Sequence, residues 1–453
     1  MKKLLGILFF LILPLRAEEL LQAAYENDLE RVRSLIESGA DVTKSNRYGV
    51  TPLSLACQNG NAGMVRLLLE KGADPNTALN GNETALMTAS RTGKVDCVEL
   101  LLNAGAKVNE KERNGQTAIM WAAADGHLEV VKALLKKGAE YREPLKTSGF
   151  TPMFFAVRQG HIEVVEAFLK AGVEVDFAAK PSNPRGKRMR SGTSALMLAI
   201  ENGHFDLGVK LLEAGANPDD QRSGYTPLHA LTWVRKAVKG DGDDGVPPPQ
   251  GSGKRGSLDM VRALVEHGAN VNAVLKNGRG GGGRLSLKSA TPFLMAAQTA
   301  DVPLLKLLKE LGADETIGNA EGVTPLLAAA GVGIHAPGEE AAKVEDSIKA
   351  VDYLLELGAD INQVSDRGET VMHGAAYKSA PKMIQHLDNR GADIKVWHQK
   401  NKSGWTPLII TQGFRPGNFR PIETTEKALA KVMLKHGMEP PPPPKRGKGS
   451  WDD

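Results

Sequence analysis

Short apolar blocks alternate with glycine-containing polar stretches along almost the whole chain. In residues 51–78, Thr51 suits a helix N-cap and Pro52 suits the first helical position. The apolar residues that follow recur with the spacing of two amphipathic helices, and Gly60 and Gly72 supply the residues that end them. The pattern therefore predicts two short antiparallel helices, followed by a turn-rich, hairpin-like connection.

The same pattern returns about every 33 residues. The positions equivalent to Thr51 are Thr84, Thr117, Thr151, Ser194, Thr226, Thr291, Thr324, Thr370 and Thr406. Residues 23–42 have only the second half of the unit, as a terminal capping unit would, so the chain holds about eleven units. Because one helix pair cannot bury its own apolar faces, the units must stack.

The repeated motifs resemble those of the ankyrin repeat. They are "TPL" opening the first helix, "GH" between the helices at 126–127, 160–161 and 203–204, and "GAD.N" closing the second. The resemblance implies an all-α solenoid of helix-turn-helix repeats joined by β-hairpin-like loops, with a concave protein-binding face. The family's "TPLH" keeps its histidine only at His229 and His373, so apolar packing is expected elsewhere.

Five insertions interrupt the repeats, which we expect to span residues 18–438. The insertions lie near residues 177–191, 235–256, 278–288, 334–346 and 413–424. Their glycine and proline content predicts mobile loops with no core of their own, on one face of the stack. Residues 439–453 form a proline-rich, basic segment for which we predict a disordered, polyproline-like tail.

Residues 1–17 have the layout of a secretory signal peptide. Lys2 and Lys3 precede an apolar stretch at residues 4–15, and Ala17 offers a cleavage point. The apolar stretch is too short to span a bilayer comfortably, which favours removal over anchoring. The chain resembles signal-bearing bacterial ankyrin proteins with glycine- and proline-rich loops. We therefore predict a periplasmic or secreted protein without stable membrane insertion.

The charge does not point to a nucleic-acid partner. Loss of Lys2, Lys3 and Arg16 with the leader lowers the formal net charge from +4 to about +1. A nucleic-acid binder needs a cationic surplus on one face, and we interpret the basic runs at 185–190, 253–256 and 444–449 as solvated loops or tail.

Cys57 and Cys97 are the whole cysteine inventory, so the chain is no disulfide scaffold. Both occupy apolar positions of their helices, which favours buried packing residues. A bridge between them, in neighbouring repeats, stays open as an alternative.

No combination of residues predicts catalysis, a cofactor or a metal ion. His127, His161 and His204 occupy the same inter-helix turn in different repeats, where the resemblance implies a structural role. The segment "DGDDG" at 241–245 lacks the spaced ligands of a calcium loop, and the glycine run at 278–284 lacks the ending of a phosphate-binding loop. An enzyme or metal protein built on these loops remains a third hypothesis.

The candidate binding residues are non-repeating positions at hairpin tips and first-helix ends, where exposure is expected. They are Arg47, Tyr48, Gln58, Asn80, Glu83, Arg91, Arg113, Gln116, Asp125, Phe150, Arg158 and Gln159. Tyrosine, arginine and phenylalanine among them are residue types common in interfaces. Trp121 and Phe155 occupy the position of Leu55, for which core packing is favoured.

The leading hypothesis is a non-catalytic scaffold or accessory protein of the bacterial periplasm. It would bind a partner protein through the concave face, without a cofactor, and act as a monomer. The alternative is an exported effector that binds a eukaryotic host protein.

Overall fold

The computed structural model describes residues 16–182, 189–237, 247–278, 284–334, 342–415 and 420–444. Within these residues the chain is all-α, as predicted, and its isolated β-bridges include Ala78 to Thr84 and Ala178 to Ser194. The chain divides into two compact units, of which unit 1 ends at Ala199 and unit 2 begins at Ile200.

Unit 1 is a stack of helix pairs that follows a helical segment at residues 16–25. Its helices are α1 (Leu29–Glu37), α2 (Pro52–Asn59), α3 (Ala62–Glu70), α4 (Ala85–Thr92), α5 (Val95–Asn103), α6 (Ala118–Ala124), α7 (Leu128–Lys136), α8 (Pro152–Gln159), α9 (Ile162–Lys170) and the start of α10 (Ala195–Glu201). The first helices of successive repeats, α2, α4, α6 and α8, pack side by side, and the second helices do the same.

Unit 2 contains a second stack of the same kind. Its helices are α11 (Phe205–Glu213), α12 (Pro227–Arg235), α13 (Ser257–Glu266), α14 (Pro292–Gln298), α15 (Val302–Glu310), α16 (Pro325–Ala330), α17 (Val344–Glu356), α18 (Val371–Tyr377), α19 (Pro381–Asn389), α20 (Ile394–Trp397), α21 (Pro407–Thr411) and α22 (Glu423–Lys435). Here α12, α14, α16, α18 and α21 are the first helices, and each packs against the next.

The helix ends follow the predicted chemistry. The Thr51 hydroxyl accepts from the backbone N–H of Ser54 at 3.1 Å, and the Ser54 hydroxyl oxygen accepts from the N–H of Thr51 at 3.0 Å. Gly60 ends α2 with a φ of 67°, in the left-handed region that favours glycine. The sequence signals for α2 are thus confirmed.

Asparagine side chains tie several repeats to the next one. The side-chain oxygen of Asn76 accepts from the N–H of Lys107 at 2.8 Å, and its amide donates to the carbonyl of Gly105 at 3.4 Å. Asn109 makes the same two bonds one repeat later. These bonds satisfy carbonyls that a helix C-terminus leaves without partners.

Several predicted segments lie partly or wholly outside the described residues. The first 15 residues of the predicted leader and residues 445–453 of the predicted tail belong to this group, as does part of each insertion. The insertion near 235–256 separates α12, which ends at Arg235, from α13, which begins at Ser257. In the portion of the chain that the structure describes, no helix has the length and apolar character needed to cross a membrane.

Candidate functional site

Equivalent positions of successive repeats form one surface, which we call the first-helix face. They are the residue before the capping threonine, the fourth, seventh and eighth residues after it, and the hairpin tip three to four residues before it. The fourth, seventh and eighth positions lie on one side of the helix because they are three or four residues apart. All twelve candidate binding residues occupy such positions, and all twelve belong to unit 1.

Nine of the twelve candidates are exposed in the structure, as expected. These are Arg47, Tyr48, Gln58, Asn80, Arg91, Arg113, Asp125, Arg158 and Gln159. Glu83 and Gln116 are half-buried, and Phe150 is buried. The prediction of exposure is therefore wrong for Phe150.

Backbone hydrogen bonds join the hairpin tips of neighbouring repeats. The N–H of Asn80 donates to the carbonyl of Tyr48 at 3.2 Å, and the N–H of Arg113 donates to the carbonyl of Gly81 at 3.0 Å. The Asn80 amide also donates to the carbonyl of Arg47 at 3.1 Å. The structure thus brings the predicted tip residues of three repeats into one continuous row.

Arg91 links two neighbouring repeats on the first-helix face. Its guanidinium lies 3.3 Å from the carboxylate of Glu83 and 5.0 Å from the ring centroid of Trp121. Trp121 is half-buried, so the expected core packing is only partial. Its indole Nε1 is buried and has no hydrogen-bond partner among the described residues. The exposed part of the ring adds an aromatic patch beside the predicted binding residues.

Phe150 is buried because it packs back onto the helix that it precedes. Its ring centroid lies 5.2 Å from that of Phe155 and 6.1 Å from that of Phe154 in edge-on geometry. The Phe150–Phe155 contact joins the residue before the N-cap to the fourth helical residue, which is a hydrophobic staple. The guanidinium of Arg158 covers both rings, at 5.4 Å and 5.7 Å from their centroids. The exposed group at this position is therefore Arg158.

In unit 1 the residue before the threonine contacts the seventh residue after it, as Glu83 contacts Arg91 and Phe150 contacts Arg158. The same two positions are in contact in unit 2. Tyr225 and Trp233 meet edge to face with ring centroids 4.8 Å apart, and the Tyr377 hydroxyl donates to the Glu369 carboxylate at 3.1 Å. The sequence did not lead us to predict this pairing, although both positions hold candidate binding residues in unit 1. Aligning the repeats on the threonine would have shown complementary residue types at the two positions.

Ile334, from an insertion, packs on first-helix positions of the last two repeats of unit 2. Ile334 is 6% exposed and forms a buried cluster with Ala376, Tyr377 and Ile410, against which Trp405 packs. These partners lie on or beside α18 and α21. Ile334, at the start of the insertion near 334–346, thus fills part of a surface whose counterpart in unit 1 carries exposed side chains.

Two further insertions contribute buried side chains to unit 2. Leu285 is 5% exposed, and its N–H donates to the carbonyl of Gly333 at 3.1 Å. The Arg415 guanidinium donates to the carbonyl of Tyr377 at 2.6 Å, and burial lowers the pKa of Arg415 to about 10. These residues are buried against other parts of unit 2, so the expectation that the insertions have no core of their own stays a prediction.

The inter-helix histidines of unit 1 hold structural positions. The ring of His127 contacts the carbonyl of Arg91 at 2.9 Å, and that of His161 contacts the carbonyl of Ala124 at 3.1 Å. A Cβ on Gly93, where φ is 74°, would lie 2.4 Å from Nδ1 of His127, so the imidazole needs glycine there.

The two histidines of the "TPLH" type are buried between repeats of unit 2. Nε2 of His229 lies 3.1 Å from the carbonyl of Ala290, and Nδ1 lies 2.7 Å from the Thr226 hydroxyl. His373 has the same arrangement, with its Nε2 3.2 Å from the carbonyl of Trp405. Because a carbonyl only accepts, Nε2 carries the proton in both rings. Burial lowers the pKa of each histidine to about 4.

Cys57 and Cys97 are free, buried thiols, as the packing interpretation predicted, and the disulfide alternative is not formed. Burial raises the pKa of both thiols. The neighbouring Cys97 raises that of Cys57 further, and Asp96 adds to the rise at Cys97.

We expect neither thiol to react with Ellman's reagent in the folded protein at neutral pH. Burial disfavours formation of the reactive thiolate and also keeps the reagent from reaching the sulfur. Two thiols per chain should react after denaturation in guanidinium chloride without reductant. A denatured, unreduced sample that still shows no free thiol would contradict the assignment.

No group of three or more histidine, cysteine, aspartate or glutamate residues suited to a metal ion occurs among the described residues. The "DGDDG" segment at 241–245 and most of the glycine run at 278–284 lie outside them. The third hypothesis, chemistry on these loops, stays a prediction.

Stacked helix pairs, threonine caps and asparagine ties define a helical repeat protein. Models of the ankyrin repeat family match most of the chain: "Ankyrin repeats (3 copies)" at residues 20–112 and 104–179, "Ankyrin repeat" at 191–222 and 223–276, and "Ankyrin repeats (many copies)" at 339–387. The chain belongs to the ankyrin repeat family, which confirms the sequence assignment at the level of the family.

Curated relatives are similar to parts of the chain. An ankyrin repeat and KH domain-containing protein of Caenorhabditis briggsae is 34% identical over 46% of this chain and 7% of its own length. The B-cell lymphoma 3 protein homolog of Mus musculus is 30% identical over 34% of this chain and 28% of its own length. The chain thus spans less than a third of either relative.

The ankyrin repeat domain of human ASB11 is similar in structure at 23% sequence identity, with a TM-score of 0.44. The similarity covers 58% of this chain and 99% of that domain.

Proposed function

We propose that this protein is a non-catalytic binding protein that holds a partner protein on the first-helix face of unit 1. Membership of the ankyrin repeat family supports a role in protein–protein interaction. The proposal needs no cofactor.

We choose the first-helix face of unit 1 as the binding surface because it differs from the corresponding face of unit 2. In unit 1 the first-helix face presents Arg47, Tyr48, Arg91 and Arg113, all exposed, beside the half-buried ring of Trp121. Tryptophan, tyrosine and arginine are the residues that most often dominate binding energy in interfaces. In the last repeats of unit 2 Ile334 packs on the corresponding helix positions, at Tyr377 and Ile410, while the hairpin tips stay exposed.

The proposal includes a site of action in the bacterial periplasm or outside the cell, as a monomer. It is supported by the signal-peptide layout of residues 1–17, with Lys2 and Lys3 before an apolar stretch. The binding face would then meet envelope or extracellular proteins. Recovery from host cytosol would favour the alternative, an exported effector.

The test is crosslinking in intact cells. The full chain, with its leader, is expressed in a Gram-negative host, and the proteins crosslinked to it are identified. A variant with Tyr48→Ala, Arg91→Ala and Arg113→Ala is compared with a control that carries Arg66→Ala, Lys71→Ala and Glu99→Ala on the exposed second-helix surface. Both variants should keep the wild-type circular dichroism spectrum, because the six side chains are mostly exposed.

We expect a partner that the wild type and the control capture and the first-helix variant loses. Equal capture by both variants would place binding elsewhere and refute the assigned surface. Absence of any specific partner in the envelope would refute the proposed function in that compartment.

A further inference from the structure

We infer that the first-helix face of unit 1 recognises an acidic segment of its partner, in which carboxylates are interspersed with apolar side chains. This inference rests on the proposed function and specifies its partner chemistry. It follows from the contacts of the unit 1 arginines with aromatic rings, and from the local hydrogen bonds and ion pairs of the neighbouring acids.

Three arginines of the face lie against aromatic rings. The guanidinium carbon of Arg47 lies 4.7 Å from the ring centroid of Tyr48. That of Arg91 lies 5.0 Å from the centroid of Trp121, and that of Arg158 lies 5.4 Å from the centroid of Phe150. A ring restricts the guanidinium, so less conformational entropy is lost when it binds a ligand. A planar guanidinium fork matches a carboxylate.

Cations also follow the hairpin tips from one repeat to the next. The exposed cations at or beside these tips are Lys44, Arg47, Lys111, Arg113, Lys146 and Lys180. A backbone bond also joins the last two tips, since the N–H of Ser182 donates to the carbonyl of Lys146 at 3.1 Å. A row of cations on a hydrogen-bonded edge suits an extended acidic chain.

Most carboxylates in these hairpins are engaged locally. One oxygen of Glu112 accepts from the N–H groups of Asn114 and Gln116 at 2.8 Å and 3.0 Å. Asp41 accepts from the N–H and the hydroxyl of Thr43, and these hydrogen bonds lower the pKa of Asp41.

Two more acids lie near lysine or arginine partners. Glu110 is 3.4 Å from Lys107, and Glu83 is 3.3 Å from Arg91. Glu143 and Asp125 are exposed acids of the same surface. Asp74, Glu140 and Glu174 are further exposed acids nearer the base of these hairpins. The cationic excess is therefore confined to the tips and first-helix ends, where acids lie between the cations.

The isolated acids favour a protein segment over a nucleic acid. A phosphate backbone carries charge at every step and would place phosphates beside Glu112 and Glu143. A polypeptide can place apolar residues at those points and carboxylates opposite the arginines. The half-buried ring of Trp121 offers an apolar contact between cationic positions.

The test uses fluorescence anisotropy of short labelled peptides with the purified mature chain. One peptide repeats Glu-Glu-Leu, a second repeats Gln-Gln-Leu, and an oligothymidylate serves as the nucleic-acid probe. The charge-reversed variant is Arg47→Glu with Arg113→Glu. The matched control is Arg66→Glu with Lys71→Glu, which changes the net charge equally on the second-helix side.

We expect the Glu-Glu-Leu peptide to bind at least about tenfold more tightly than the Gln-Gln-Leu peptide. Binding should weaken by about tenfold or more in R47E/R113E, and also between about 50 mM and 500 mM salt. R66E/K71E should stay within about twofold of the wild type. Circular dichroism should show both variants folded.

Three outcomes would overturn the inference: no binding of the Glu-Glu-Leu peptide, equal weakening in the two charge-reversed variants, or tighter binding of the oligothymidylate. These failures are distinguishable from failure of the proposed function. A cellular partner lost in the triple-alanine variant but retained by R47E/R113E would keep the binding face and refute its acidic ligand.

Discussion

The free energy of unfolding of unit 2 is expected to fall by about 3 kcal/mol for each of His229 and His373 when the pH is lowered from about 7 to 4. Burial holds the pKa of both imidazoles at about 4 in the folded protein, against 6.5 when unfolded. Between these values the unfolded chain binds a proton that the folded chain does not. Stability is therefore lost as the pH falls through this window, and the loss ends below about pH 4.

Glu369, in the same unit, has the opposite effect on the pH dependence of stability. Burial raises its pKa, so the folded protein takes up this proton at a higher pH than the unfolded chain does. The histidine contribution is therefore best isolated by comparing pH profiles of variants. Each of His229→Gln and His373→Gln should flatten the profile by about 3 kcal/mol between pH 7 and 4.

Hydrogen–deuterium exchange followed by mass spectrometry would assign the acid effect to unit 2. Both histidines belong to that unit, so its first helices should lose protection at acid pH. His127→Gln in unit 1 serves as a control, because its ring is only partly buried at a turn. A histidine variant of unit 2 with the wild-type pH profile would contradict the expectation.

Replacement of Ile334 by alanine is expected to destabilise the last repeats of unit 2 by about 2 to 4 kcal/mol. The side chain fills a buried cluster with Tyr377 and Ile410, so its removal leaves a cavity or admits water. Trp405 packs against this cluster, and its fluorescence should shift to longer wavelength. Urea unfolding monitored by this fluorescence would measure the loss.

Two further variants separate this effect from a general sensitivity of unit 2. Ile334→Val removes one methylene group and should cost about 1 kcal/mol. Val274→Ala, at a residue that is 44% exposed, should change stability little. Wild-type stability in Ile334→Ala would show that the insertion does not hold the face of α18 and α21.

Local sequence chemistry was sufficient to predict the repeats. Thr51, Pro52 and Gly60 act through bonds and conformations within a few residues of themselves, so their roles were predictable without a structure. Cys57 and Cys97 were recognised as packing residues because their positions continue an apolar helical spacing.

The candidate site was only partly predictable. Exposure was predicted correctly for Arg47 and Tyr48, which occupy a hairpin tip. It failed for Phe150, because a large ring beside a helix gains more from packing on Phe155 than from solvent exposure. Binding by any of these residues stays a prediction until a partner is tested.

The sequence by itself determined the repeat unit, its period and the ends of its helices, because these depend on interactions between residues close in the chain. The tertiary structure decided which copies of the first-helix face are covered. Ile334 meets Tyr377 and Ile410 from a distant part of the chain, and no periodic pattern records such a contact. Whether an insertion packs on the first-helix positions depends on where its apolar side chain lies in space. Only the fold therefore distinguishes the exposed face of unit 1 from the covered helix positions of the last repeats.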